Sequence, residues 1–137
     1  MGLILVDSSV WVDHFRDRIT PQVNRQRTLN QREAAVVGDL VLCEVLQGFN
    51  DDRSFARVLE DFADLRHLPL STTFVAVRAA RNYRHLRTLG ITPRKTIDTL
   101  IATRCILDDI PLLYSDRDFD PFVTHLGLIS AMELPDA

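Results

Sequence analysis

Leu3-Ile4-Leu5-Val6-Asp7-Ser8-Ser9 is the stretch whose reading decides the fold. Four consecutive aliphatic side chains leave no polar face, so the run predicts a strand buried on both sides, as in a parallel sheet. Open parallel sheets take their ligands beyond the carboxyl ends of the strands, and Asp7 stands at such an end. A lone aspartate in that place most often caps the following helix. Three more acidic residues, distant in sequence but comparably placed, give it a possible second role.

Outward from this strand, apolar runs alternate with helical segments. Ser8-Ser9 offers caps for a helix with Val10, Trp11 and Phe15 on its apolar side. Thr20-Pro21 opens a second helix, read to about Leu29, and residues 30–33 read as loop. Residues 34–37, closed by Gly38, form the second strand. Asp39 is placed as the cap of a helix over 40–47 that stops at Gly48. Phe55, Val58, Leu59, Phe62 and Leu65 recur at helical spacing in a segment read as structural. Leu68-Pro69-Leu70 reads as a short strand, and Ser71-Thr72-Thr73 starts a helix running to Leu89 and ended by Gly90. A helix over 97–107 turns Ile97, Leu100, Ile101 and Cys105 inward. Residues 111–114 and 128–130 complete the strands. This alternation predicts an α/β fold with a mainly parallel sheet and helices on both faces.

Bulk properties narrow the class. A chain of 137 residues, 46% hydrophobic and 26% charged, fits one soluble globular domain. No run approaches the roughly 18 apolar residues of a membrane helix, and Met1-Gly2-Leu3 lacks the basic region of a signal peptide. Cys43 and Cys105, in apolar helical contexts, read as small core residues of a cytoplasmic protein. The four histidines show no ligand spacing. A net charge of −3 makes the whole chain no general attractant for nucleic acid. The charge is unevenly spread, however. Arg78, Arg81, Arg84, Arg87, Arg94 and Lys95 lie between Thr72 and Ile97 without an acid, whereas Asp116, Asp118 and Asp120 follow closely after a strand.

The acids suggest a chemistry. Glu44 is the only charged residue within an otherwise apolar helical stretch, and Asp98 begins a helix. The βαβ topology gathers both with Asp7 and the Asp116 cluster at one sheet edge. Clustered carboxylates repel one another unless something compensates. Oxygen ligands without paired His or Cys point to Mg²⁺ or Mn²⁺, which serve phosphoryl chemistry while retaining waters. Arg94, Lys95 and the arginine stripe then supply cations for a phosphate backbone.

Val6-Asp7-Ser8-Ser9-Val10-Trp11-Val12, Glu44-Val45-Leu46-Gln47-Gly48, Thr96-Ile97-Asp98-Thr99-Leu100-Ile101-Ala102 and Asp116-Arg117-Asp118-Phe119-Asp120 resemble, in order and spacing, the four motifs of the PIN domain. More closely, they resemble those of the VapC ribonuclease toxins of bacterial type II toxin–antitoxin pairs. The resemblance implies that residues 1–137 form a single PIN domain, an α/β/α sandwich. It implies a Mg²⁺-dependent endoribonuclease (Mn²⁺ substituting) that leaves a 5′-phosphate and a 3′-hydroxyl. It also implies a homodimer, a VapB-type antitoxin that inhibits it, and a transfer or ribosomal RNA as substrate. By motif position Asp7, Glu44, Asp98 and Asp116 form the acidic quartet, with Asp7, Asp98 and Asp116 as metal ligands. Glu44 acts through water or from behind the ligands, Ser8 or Ser9 supports Asp7, and Asp118 can trade places with Asp116. Antitoxin contacts are expected between Trp11 and Phe62.

Two other strand–Asp classes fail on single residues. A haloacid-dehalogenase-like phosphatase needs a second acid two residues after the first, where this chain has Ser9. A receiver domain needs a lysine after a late strand, and Tyr114-Ser115-Asp116 offers none. The remaining alternative is a catalytically silent interaction module with the same fold, against which the four intact acids argue.

Overall fold

A computed structural model describes residues 2–135. It begins with the predicted strand, β1 (Ile4–Val6), buried along its length. β1 lies between β2 (Ala35–Gly38) and β4 (Leu112–Leu113), and β2 in turn pairs with β3 (Arg66–Leu68). All three pairings are parallel, in the order β3-β2-β1-β4. The register sets Ile4 beside Ala35, and Leu5 beside both Val36 and Leu112. Parallel strands need crossovers, and helices provide them here: α1 (Ser8–Phe15), α2 (Pro21–Gln31), α3 (Asp39–Leu46), α4 (Asp52–Ala63), α5 (Thr73–Thr88), α6 (Thr96–Leu107) and α7 (Asp120–Leu126). They contact one another in two groups, α1 to α4 and α5 to α7, as expected for a sheet covered on both faces.

One apolar core joins the sheet to both groups. Leu5, Val6, Val37, Leu112 and Leu113 are fully or nearly fully buried, as are Val10 and Phe62 on one group and Ile101 and Phe122 on the other. Phe119, within the fourth motif, is also buried. Trp11 meets Phe62 edge-on at 4.9 Å between ring centroids, a favoured aromatic geometry. Among the described residues, no helix is long and apolar enough to cross a membrane.

Several local expectations are corrected. The third strand is Arg66–Leu68, not Leu68-Pro69-Leu70. Pro69 cannot donate to a ladder, and Leu70 instead gives its N–H to Asp39 Oδ1 at 2.8 Å. Asp39 is therefore not the cap of α3. Gly38 is the cap, and the Asp39 carboxylate ties the β3 exit to the helix start. Helix α2 continues through Asn30 and Gln31. The expected last strand is reduced to a single parallel bridge between Leu112 and Ser130. Cys105 is buried but Cys43 is exposed, because its position on α3 faces away from the sheet side occupied by Val41 and Val45. On α4, Val58 and Phe62 are buried while Phe55 and Leu59 remain substantially exposed.

Helix endings show a recurring device. Asp17, Glu33 and Asp109 are non-glycine residues with φ between 52° and 55°. Each follows a helix end and completes a paired bond pattern: Arg18 N–H to Asp13 O and Asp17 N–H to His14 O, then Ala34 to Leu29 and Glu33 to Asn30, then Ile110 to Cys105 and Asp109 to Ile106. This is the Schellman closure, in which a left-handed residue lets the chain satisfy the last carbonyls.

Candidate active site

β1 delivers Asp7 to the carboxyl edge of the sheet, and the Asp7 N–H completes the ladder by donating to Leu113 O at 2.9 Å. The two roles considered for Asp7 prove compatible. Its Oδ2 caps α1 by accepting from Ser9 N at 3.0 Å, so the cap is Asp7 and not Ser8 or Ser9. Its Oδ1 is buried and has no hydrogen-bond partner among the described residues. Ser9 is the junction of this corner. Its hydroxyl donates to Asp7 Oδ2 at 2.6 Å and accepts from Ser115 N at 3.1 Å, fastening the loop after β4 to the end of β1.

That loop carries Asp116, whose Oδ1 accepts from Asp118 N at 2.9 Å and opens the 3-10 turn Arg117–Phe119. Asp98 enters from the first turn of α6 and is 5% exposed, with Oδ2 buried and unpartnered among the described residues. Carboxylate oxygens of Asp98, Asp116 and Asp118 lie within 4.8 Å of one another. Two negative charges at that separation repel by about 1 kcal/mol in water and about 3 kcal/mol at an effective dielectric near 20. Glu44, on α3, is half-buried and accepts from the Ser8 hydroxyl at 3.3 Å.

The electrostatics record this crowding. Burial, then the neighbouring Asp7 charge, pushes Asp98 up to about 7, against only partial relief from Lys95. Asp7 is raised mainly by burial, opposed by the Ser9 hydroxyl and the Ser9 and Ser8 backbone groups, with Asp116 adding repulsion. Glu44 is raised by burial and then by Asp7, with Ser8 and Lys95 opposing. Two buried carboxylates with orphaned oxygens, beside a further acidic pair, suit a hard divalent cation with oxygen ligands.

A cleft of about 350 Å³ opens over these groups, lined by Asp7, Glu44, Lys95, Asp98 and Asp116 among others. The fold therefore brings all four members of the expected quartet to one opening. Ser8 and Ser9 line it too, whereas Asp118, close to Asp116, is not among the lining residues. Lys95 reaches the cleft, and Arg94 is exposed outside it. The arginine stripe of α5 does not line the cleft: Arg84 borders a separate cavity between α5 and α6, and Arg87 lies over the Tyr83 ring at 5.8 Å. Sequence reading missed Asp13, Arg16 and Arg18, which line the same cleft from the end of α1. The helical spacing of Asp13 and Arg16 from Ser9 (i, i+4, i+7) was the available signal.

Comparison with known proteins follows the same outline. Residues 4–122 match the PIN domain family. The chain is 31% identical over 131 residues to the VapC ribonuclease Mb1587 of Mycobacterium bovis and to the ribonuclease VapC11 of Mycobacterium tuberculosis, covering 94% of this chain and 98% of each relative. Among solved structures, it superposes on VapBC2 of Rickettsia felis, crystallised bound to a promoter DNA fragment, with a TM-score of 0.72 at 17% identity, covering 93% of this chain and 96% of the other. It superposes on FitAcB of Neisseria gonorrhoeae with a TM-score of 0.70 at 17% identity, covering 96% of this chain and 100% of the other. At those identities the structures speak for the fold alone.

Proposed function

The chain belongs to the PIN-domain family and, within it, to the VapC ribonucleases, and on that premise we propose that it is a divalent-metal-dependent endoribonuclease acting as the toxin of a toxin–antitoxin pair. The observation that carries this reading is the meeting of Asp7, Glu44, Asp98 and Asp116 at one cleft, with Asp7 Oδ1 and Asp98 Oδ2 buried and unpartnered among the described residues. Asp7, Asp98 and Asp116 would hold the ion, Mg²⁺ or Mn²⁺, with Asp118 beside Asp116 as a further oxygen donor. When bound, such an ion supplies a more acidic water and offsets charge on the leaving oxygen of a phosphodiester.

The chain's own groups do the rest. Ser9 fixes the Asp7 carboxylate through Oδ2, leaving Oδ1 for the ion. Ser8 holds Glu44 at Oε1, and burial and the Asp7 charge raise its affinity for a proton. In this reading Glu44 accepts, directly or through water, the proton released as water attacks phosphorus. Lys95, with Arg94 farther out, offers positive charge to the phosphate backbone. The products are a 5′-phosphate and a 3′-hydroxyl.

The partners follow from the same family reading. The relatives are named as ribonucleases and one structural neighbour as a VapBC complex, which supports RNA as substrate and a VapB-type antitoxin as partner; inhibition by that antitoxin, a homodimer and action in the cytoplasm complete the proposal. We place the antitoxin contacts between Trp11 and Phe62. A cleft of about 320 Å³ opens there, lined by His14, Phe15, Phe49 and Val58 together with the polar Asp17, Ser54, Arg57 and Asp61. Phe55 and Leu59 of α4 are also exposed, and exposed apolar side chains suit an interaction surface. Incubation of antitoxin-free protein with total cellular RNA, in Mg²⁺, Mn²⁺ or EDTA, tests the nuclease. Discrete metal-dependent cuts are expected, and their absence from a folded, metal-binding protein would favour the silent interaction module.

A further inference from the structure

Five carboxylates line the acidic cleft (Asp7, Asp13, Glu44, Asp98, Asp116), against three cations (Lys95, Arg16, Arg18), leaving a formal charge of −2 if all are ionised. The five acids alone carry −5, so one divalent ion without those cations would leave −3 facing an incoming phosphate. Fixed cations at the rim are therefore needed for an RNA backbone to approach. The arginine-rich face of α5 does not provide them, because none of its arginines lines the cleft.

We propose that Arg16 and Arg18, at the carboxyl end of α1, are the phosphate-holding cations of this cleft, acting with Lys95 from α6. This rests on the nuclease reading above. The local backbone puts both on the same opening. Arg16 is the C-cap of α1, Asp17 takes the left-handed conformation at φ 55°, and Arg18 N donates to Asp13 O at 2.9 Å. This closure reverses the chain within one residue, so two arginines two positions apart line one cleft. Their side chains are available. Arg16 is exposed and makes no side-chain hydrogen bond or ion pair among the described residues. Arg18 touches Asp13 Oδ1 at 3.5 Å with its own side chain 62% exposed, a contact too long and too wet to hold it. A phosphate, by contrast, accepts two parallel N–H donors from one guanidinium.

Fluorescence anisotropy with fluorescein-labelled poly(U), across about 50 to 200 mM salt, tests the assignment on the full chain, because phosphate contacts are independent of sequence. The double variant R16A/R18A is expected to bind about 10- to 100-fold more weakly, and the slope of log affinity against log salt should be shallower by about 1.4, or about 0.7 per lost contact. R16K/R18K should keep most of the slope, and Mn²⁺ binding followed by electron paramagnetic resonance should match wild type in both. Unchanged affinity and slope in R16A/R18A, with a wild type that binds and cuts RNA, would overturn the proposal and leave the nuclease standing. An equal loss of Mn²⁺ binding would overturn it by making these arginines supports of the acids. A wild type that binds Mn²⁺ but neither binds nor cuts RNA would refute the nuclease reading itself, and this assignment with it.

Discussion

Replacing Asp98 by Asn is expected to stabilise the metal-free protein while removing its metal-dependent activity. Asp98 is held at about 7 against an ordinary 3.8, first by burial and then by the Asp7 charge. At about 1.4 kcal/mol per pH unit, that difference corresponds to about 4 kcal/mol as an upper bound. The open cleft admits water, which screens the repulsion and brings the expected effect to about 1–2 kcal/mol. The sign follows from proton linkage. Because the folded state holds this proton more tightly than the unfolded one, stability falls as pH rises from about 4 to about 7 and then levels. Asn carries no such loss. In EDTA at pH 8, D98N should melt about 3–8 °C above wild type, and the gap should close near pH 4. A divalent ion at 100 times its dissociation constant should return about 2.7 kcal/mol to wild type and distinctly less to the variant. Thermal unfolding by circular dichroism reads both effects. A D98N protein less stable than wild type at pH 8 in EDTA would refute the reasoning, since it would mean that the Asp98 charge is already compensated within the protein.

Three further outcomes follow from named contacts. Ser9→Ala removes the donor to Asp7 Oδ2 and the acceptor of Ser115 N, so it should cost about 1–3 kcal/mol in urea unfolding and about 10- to 100-fold in RNA cleavage; Ser9→Thr should retain most of both. Gly38→Ala puts a Cβ 2.6 Å from Cγ of the fully buried Leu70, and the overpacking should lower stability by about 1–3 kcal/mol; a wild-type urea midpoint would show that Leu70 moves freely. Mn²⁺ affinity, measured by calorimetry, should weaken below about pH 7 as protons compete for Asp98, by up to about tenfold per pH unit, and level off above it.

The sequence revealed most where local chemistry and global fold agreed. The run over 3–6 gives the buried strand Ile4–Val6, and Phe62 sits in the core as its helical spacing implied. Asp7, Glu44, Asp98 and Asp116 converge because a parallel sheet sends its strand ends to one edge. Tertiary context decided the rest. Nothing local says that Asp39 will bond Leu70 instead of capping α3, or that Cys43 will face solvent. The stripe of α5 has the highest charge density yet faces elsewhere, and two of the three cleft cations, Arg16 and Arg18, come from the turn after α1 whose direction depends on a left-handed Asp17; Lys95 alone was legible. Phe55 and Leu59 fit the helical period of α4 yet stay exposed, since periodicity identifies an apolar face without saying what covers it.

The most direct test of the account is cleavage of total cellular RNA by purified, antitoxin-free protein with Asp7→Asn alongside, in Mg²⁺, Mn²⁺ and EDTA, with fragment ends mapped by sequencing. Discrete cuts bearing 5′-phosphates are expected, lost in EDTA and reduced on the order of 100-fold or more in the folded variant. Cleavage by D7N at the wild-type rate, or undiminished cleavage in EDTA, would contradict it.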